Sequence, residues 1–250
     1  MRVALDWCVT PNSASWFVPA RKWFLMSEQL ALGLPPREDF SAESFIDGEA
    51  NAAGRWALGG WRAWPGRVLV LYGPAGCGKT HLAHMWARDN GATVIAGPAL
   101  SERLEDLTKP APVVIEDADR FADRAALFHL MNRAQNEIIP AVLLTAREAP
   151  ARWQTDIPDL QSRLKAVSTA QMHEADDALL ARLLKKLFAD RQSPLVDGLI
   201  DYLLPRMDRS VEGARRLVEA LDRDALARRT PINRGVARRV LDEHDSVGED

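Results

Sequence analysis

Three observations predict an α/β fold in which a parallel sheet lies between helices and a small all-helical lid follows. Residues Gly73-Pro74-Ala75-Gly76-Cys77-Gly78-Lys79-Thr80 complete the pattern G-x-x-x-x-G-K-[ST] between an apolar run and an amphipathic one. Short runs rich in Val, Ile and Leu alternate with helical stretches as far as Gln171, as parallel strands covered on both faces require. From Asp176 onward only the helical period remains.

The strand candidates are Val68–Tyr72, Ala92–Ile95, Pro112–Ile115, Ala141–Thr145 and Val167–Gln171. The cores of Val68–Tyr72, Pro112–Ile115 and Ala141–Thr145 are continuous apolar runs rather than alternating ones. Helices are expected near Ala52–Gly59, Thr80–Asp89, Asp123–Glu137 and Asp159–Arg163. In the lid, Leu179, Leu180, Leu183, Leu184 and Leu187 make one helical stripe, and helices continue around Leu195–Leu204, Val211–Leu226 and Asn233–Asp242. The expected organisation is an N-terminal extension over 1–28, a peptide and linker over 29–39, an α/β nucleotide-binding domain over 40–173 and a helical lid over 174–245.

The glycine-rich segment has a phosphate-binding logic. Gly73, Gly76 and Gly78 admit backbone angles closed to other residues, so successive N–H groups can point inward at phosphate oxygens. The helix that follows adds the partial positive charge of its N-terminus. Lys79 neutralises the β-phosphate, and the γ-phosphate when there is one, while the Thr80 hydroxyl is a magnesium ligand. The expected ligand is ADP or ATP with Mg2+. A matching turn by accident is the alternative, and the strand before and helix after it argue against that.

Composition bounds the rest. At 250 residues the chain can bury one substantial core with a small appended domain. A net charge of -3 argues against a protein that coats nucleic acid, and leaves local basic surface open. Two cysteines, Cys8 and Cys77, make no disulfide framework, which fits a reducing cytoplasm. No apolar run approaches the roughly 18 residues of a membrane span, and the N-terminus lacks the pattern of a secretory signal.

The first 25 residues carry Trp7, Trp16, Trp23 and Cys8 in no regular period, and Met26-Ser27-Glu28 offers a second start. They read either as a disordered arm or as an upstream extension from a misplaced start. Next, Gln29 to Asp39 ends in the breaker cluster Pro35-Pro36-Arg37-Glu38-Asp39.

Beyond the loop, Val113-Val114-Ile115-Glu116-Asp117 is an apolar strand ending in two acids, a second element suited to positioning magnesium. Glu116 is the expected metal-side acid and Asp117 the water-polarising one. The order reverses the Asp-Glu pair of robust ATPases, so weak or no intrinsic hydrolysis is expected. Thr145, ending Leu143-Leu144-Thr145, suits contact with a γ-phosphate or attacking water. Arg163, in Asp159-Leu160-Gln161-Ser162-Arg163-Leu164, falls in a polar turn after a short helix. It either serves a phosphate held by a neighbouring subunit or makes an ordinary surface ion pair.

With these pieces in order, the sequence resembles an AAA+ ATPase domain, and within that superfamily the replication initiator DnaA and its regulatory relatives. The resemblance runs from about residue 40 to 242. It is carried by Phe45-Ile46-Asp47-Gly48-Glu49-Ala50-Asn51, similar to the adenine-side box, then Gly73–Thr80 with His81-Leu82, Ile115-Glu116-Asp117, Leu144-Thr145, Ser162-Arg163-Leu164 and Arg209-Ser210-Val211-Glu212-Gly213-Ala214. The resemblance implies that Phe45, Ile46 and His81 lie at the nucleotide and that Arg209 is a lid-helix arginine reaching back to its phosphates. The chain ends at Asp250 without room for the DNA-binding helical domain that follows the lid in DnaA. Gln29-Leu30-Ala31-Leu32-Gly33-Leu34 resembles the peptide by which Hda-type regulators dock on the sliding clamp, with Gln29, Leu30, Leu32 and Leu34 making the contact. Packing of those leucines as an edge strand is the alternative.

The Hda-type family implies a function: ADP-bound and docked on the clamp, the protein presents an arginine finger, here Arg163, to ATP-bound DnaA and stimulates hydrolysis there. The partners implied are DnaA and the sliding clamp, the beta subunit of DNA polymerase III. DNA is met indirectly through the clamp, nucleotide-dependent self-association is left open, and the setting is cytoplasmic, at the nucleoid or replisome. The lid arginines, Arg206 through Arg239, read first as a solvated face because acids are interleaved with them. Two rival functions stay open: a DNA-acting initiator-like or helicase-loader ATPase, and a non-enzymatic clamp-bound adaptor.

Overall fold

The structure is a computed structural model and describes residues 45–247. The N-terminal extension, the Gln29–Leu34 peptide and its linker lie outside the described residues. A five-stranded parallel sheet is built from β1 (Val68–Tyr72), β2 (Thr93–Ala96), β3 (Val113–Glu116), β4 (Val142–Ala146) and β5 (Ser168–Gln171), in the order β2-β3-β4-β1-β5. The helices are α1 (Glu49–Gly59), α2 (Lys79–Asn90), α3 (Leu100–Arg103), α4 (Ala118–Phe121), α5 (Arg124–Gln135), α6 (Pro158–Ala166), α7 (Asp177–Asp190), α8 (Leu199–Leu203), α9 (Val211–Arg228) and α10 (Arg234–Val247).

The three central strands β3, β4 and β1 are buried on both faces, which explains their apolar sequences, while the edge strands β2 and β5 are partly exposed. Val68 and Val70 of β1 enter one core with Leu127 and Leu130 of α5 and Leu160 and Leu164 of α6. Leu69 and Leu71 point the other way, into a core with Leu58, Leu82 and Trp86. Trp86 is core, stacked on Trp64 with ring centroids 5.4 Å apart. The lid has its own core from Leu179, Leu180, Leu183, Leu184 and Phe188 of α7 against Leu217, Val218 and Leu221 of α9 and Val236 and Val240 of α10.

Some helices, α5, α7 and α9 among them, begin where a side chain supplies a missing acceptor. Asp176 accepts from Leu179 N–H at 2.7 Å to start α7, and Ser210 Oγ accepts from Gly213 N–H at 2.8 Å to start α9. Two expectations are corrected. Arg163 lies inside α6, not in a turn after it, because Leu160 and Leu164, four residues apart and both buried, carry the helix on to Ala166. Helix α1 starts three residues before the expected Ala52, because Asn51 Oδ1 accepts from Gly48 N–H at 3.1 Å and closes its first turn. The four-residue helices α3 and α4 are too short to leave a sequence period.

Candidate nucleotide site

The loop between β1 and α2 has the shape the motif requires. Gly76 and Gly78 take left-handed angles, with φ of 71° and 96°, that would strain any other residue. Gly73 is required for a different reason: a Cβ there would stand 2.3 Å from the Met172 carbonyl oxygen on the chain leaving β5. Lys79 opens α2 and is buried; its Nζ donates to the carbonyl oxygens of Gly73 at 2.9 Å and Pro74 at 2.7 Å and lies 3.7 Å from Cys77 Sγ. Burial pushes the Cys77 thiol up in pKa, and the nearby Lys79 charge opposes this. The ammonium is thus held inside the turn of the loop, beside the N–H groups of a helix start that has no intrahelical partners for them. Pro74 and Ala75 complete the turn, Thr80 is exposed at the first turn of α2, and His81 is buried.

The lid closes over this loop. Val211 N–H donates to the Gly76 carbonyl oxygen at 3.0 Å, and Ser210 packs so closely that a Cβ on Gly76 would approach its Cβ to 2.7 Å. Beside the loop runs a cleft lined by Phe45, Ile46, Asn51, Gly78, His81, Val211 and Arg215, among others. Its free volume is about 20 Å³, room for about one water. Asn51 holds the Phe45–Ile46 wall: it is 4% exposed, and its Nδ2 donates to the Ile46 carbonyl oxygen at 2.9 Å. Phe45 and His81 pack with ring centroids 5.2 Å apart.

The acids stand at the carboxyl end of β3, next but one to β1 in the sheet. Glu116 Oε2 lies 3.3 Å from Nε2 of His84, one turn after Thr80 on α2, while Glu116 Oε1 is buried with no hydrogen-bond partner. A buried carboxylate oxygen left in this condition is costly, and a cation would satisfy it. Among the described residues no cluster of three or more His, Cys, Asp or Glu could hold a metal by itself. The donor set fits Mg2+ held by one or two side chains plus phosphate oxygens, with Glu116 and Thr80 as the side chains. Asp117, with φ of 49°, caps α4, and its N–H donates to Thr145 Oγ1 at 3.1 Å. Thr145, 1% exposed, therefore fixes the acid-bearing turn to β4.

Arg163, expected to serve a neighbouring molecule, and Arg209, expected at the nucleotide phosphates, both lie away from the cleft. Arg163 Nη1 donates to Gln135 Oε1 at 2.6 Å, and its guanidinium sits 5.2 Å from the centre of the Phe128 ring. Together with Gly66, Val68 and Val167 it lines a cavity at the start of β1, the end of the strand opposite the phosphate loop. Arg209 precedes α9 rather than riding on it, is half exposed and pairs with Asp177 at 2.8 Å, so it is not one of the residues lining the cleft. The arginine at the cleft is Arg215, whose Nη2 donates to His81 Nδ1 at 3.2 Å. One signal pointed to it: Arg215 is four residues after Val211 and shares its helix face. Asn51 was named in the sequence only as the end of the adenine-side box Phe45–Asn51. Gln29, Leu30, Leu32 and Leu34 lie outside the described residues.

No family model matches the chain. In sequence it is 28% identical over 235 residues to the chromosomal replication initiator DnaA of Cereibacter sphaeroides, covering 78% of this chain and 50% of that protein. The chain thus spans about half the length of that relative. In structure it matches domain III of Thermotoga maritima DnaA with a TM-score of 0.70 and 18% identity, covering 84% of this chain and 98% of the other. It also matches DnaA bound to AMPPCP and single-stranded DNA, with a TM-score of 0.65 and 20% identity over 84% of this chain and 70% of the other. The fold is the AAA+ P-loop fold. Within that class, the chain is similar in sequence and in fold to the replication initiator DnaA.

Proposed function

We propose that this chain is a regulator of replication initiation that holds ADP with Mg2+, docks on the DNA polymerase sliding clamp through Gln29, Leu30, Leu32 and Leu34, and stimulates hydrolysis of ATP bound to DnaA. The observation that carries the reading is the placement of Arg163. It stands at the opposite end of β1 from Lys79, its described contacts are the neutral Gln135 and the Phe128 ring, and no acid pairs with it among the described residues. A cation so placed cannot reach the phosphates held by its own loop. It is available to a phosphate on a neighbouring molecule, where an arginine contributes by stabilising charge in the transition state.

The nucleotide part of the reading is supported by the left-handed Gly76 and Gly78, the Lys79 position and the relative that binds AMPPCP. When bound, Mg2+ would neutralise charge between phosphate oxygens. Thr80 and Glu116 would hold it, Thr145 fixes the Asp117 turn to β4, and Phe45 and Ile46 would wall the base. With His84 against Glu116, and with Asp117 as the second acid, the site suits retention of a nucleotide better than rapid turnover.

The test mixes the full chain with ATP-loaded DnaA, clamp on DNA, and ADP, and follows hydrolysis of the DnaA-bound nucleotide. Stimulation that needs all components is expected; none in the full mixture contradicts the reading. A companion variant, Gln29→Ala with Leu30→Ala, is expected to lose clamp retention and keep its ADP affinity. Loss of both together would make that peptide structural.

A further inference from the structure

Three arginines cluster where the lid meets the loop, and their partners separate them. Arg209 is paired with Asp177 at 2.8 Å and Arg216 with Asp208 at 3.1 Å, both at the surface. Arg215 alone of the three lines the cleft, beside Phe45, Ile46 and Gly78. Its Nη2 donates to His81 Nδ1, and its Nε is buried with no hydrogen-bond partner among the described residues. A guanidinium carries five donors, so this one has donors to spare, and no acid pairs with it among the described residues.

We infer that Arg215 binds the base or ribose end of the nucleotide, a subsite separate from the phosphate cradle. The inference rests on the nucleotide-site reading. Its geometry runs along α9: Ser210, at the start of the helix, covers Gly76 at the apex of the loop, and Val211 bonds to the same residue. Arg215 is more than one turn further along, against the Phe45–Ile46 wall and the far side of Gly78. At that distance from the loop apex it faces the part of a nucleotide that extends away from the β-phosphate. The acceptors there are ring nitrogens and ribose hydroxyls, and a guanidinium edge donates to both. His81, packed on Phe45, orients the guanidinium and joins the wall of the base pocket to the lid.

The experiment measures affinity by calorimetry for ADP, ATP and inorganic pyrophosphate, on the full chain and on Arg215→Gln, Arg215→Lys and Arg209→Ala. Thermal melts check that each variant folds. Arg215→Gln is expected to weaken ADP and ATP equally, by about 10- to 100-fold, the scale of one or two hydrogen bonds from a charged donor. Pyrophosphate affinity is expected to be unchanged, and Arg215→Lys to recover part of the loss. Unaltered ADP affinity in a folded Arg215→Gln overturns the inference, as does an equal loss for pyrophosphate, which would make Arg215 a phosphate ligand. Failure of the unmodified chain to bind ADP at all would instead overturn the nucleotide-site reading on which it stands.

Discussion

The backbone N–H of Val211 donates to the carbonyl oxygen of Gly76 at 3.0 Å, so the first residue of α9 is tied directly to the apex of the phosphate loop. Whatever the loop holds, its shape and the lid position are read through this bond. Proline at the first position of a helix keeps the helix and removes only the donor, and Ser210, at φ -127° and ψ 156°, already has the extended angles required before proline. Val211→Pro is therefore expected to leave helicity intact by circular dichroism and lower stability by about 0.5–1.5 kcal/mol, the worth of one hydrogen bond. Hydrogen exchange at the start of α9 is expected to rise. A Val211→Ala control separates loss of the side chain from loss of the bond.

Gly73 and Gly59 make a contrasting pair. A Cβ on Gly73 would meet the Met172 carbonyl oxygen at 2.3 Å, backbone against backbone, whereas one on Gly59, at the end of α1, meets nothing within 4 Å. Gly73→Ala is expected to cost about 1–3 kcal/mol and to deform the loop, while Gly59→Ala is neutral or stabilising by up to about 1 kcal/mol. Denaturant unfolding of both variants checks this. A tolerated Gly73→Ala would show that the loop and the chain after β5 are not held together.

Lys79 predicts a separation of binding from stability. Its ammonium is already satisfied by the Gly73 and Pro74 carbonyl oxygens, so Lys79→Ala removes a buried cation without orphaning an acid. Affinity for ADP is expected to fall by about 10- to 100-fold, with the variant still folded. An Lys79→Ala chain that binds ADP like the original would contradict the assignment of this loop.

Asp224 sets an acid dependence. Its hydrogen bond with Arg228 first, then that with Arg239, hold its carboxyl below its ordinary pKa; the first lies within α9 and the second joins α9 to α10. Because the folded pKa is the lower one, the stabilisation is fully present above the ordinary value and is lost as pH falls through the folded value. Asp224→Asn is expected to lower Tm by no more than a few degrees at neutral pH, since the pairs are at the surface. The difference from the original chain is expected to shrink below about pH 4. A difference that stays constant down to pH 2 in thermal melts would show that the carboxylate charge is not what joins the two helices.

The three central strands were legible to within a residue because a central parallel strand is a continuous apolar run, with Val68–Tyr72 predicted at its observed limits, and the edge strands β2 and β5 were found as near from the strand–helix alternation. The phosphate loop was legible because its glycines and lysine have fixed spacing. The rotation of α9 about its own axis was not, and it decides which of several similar arginines faces the cleft. Arg209 carries the sequence pattern, yet the turn before Ser210 sends it to Asp177, and Arg215 lies on the buried side. Arg163 was legible as a residue but not in its setting. Only the packed sheet shows that it stands across β1 from Lys79, beside Val68.

The central claim is that Arg163 acts on a nucleotide held by another protein, and single-turnover hydrolysis of ATP on DnaA tests it most directly. With clamp on DNA and ADP present, Arg163→Ala is expected to fold, bind ADP as the original chain does, and lose stimulation by about 10³-fold or more, the scale of an arginine finger. A folded, ADP-binding Arg163→Ala that stimulates DnaA as well as the unmodified chain would contradict the account.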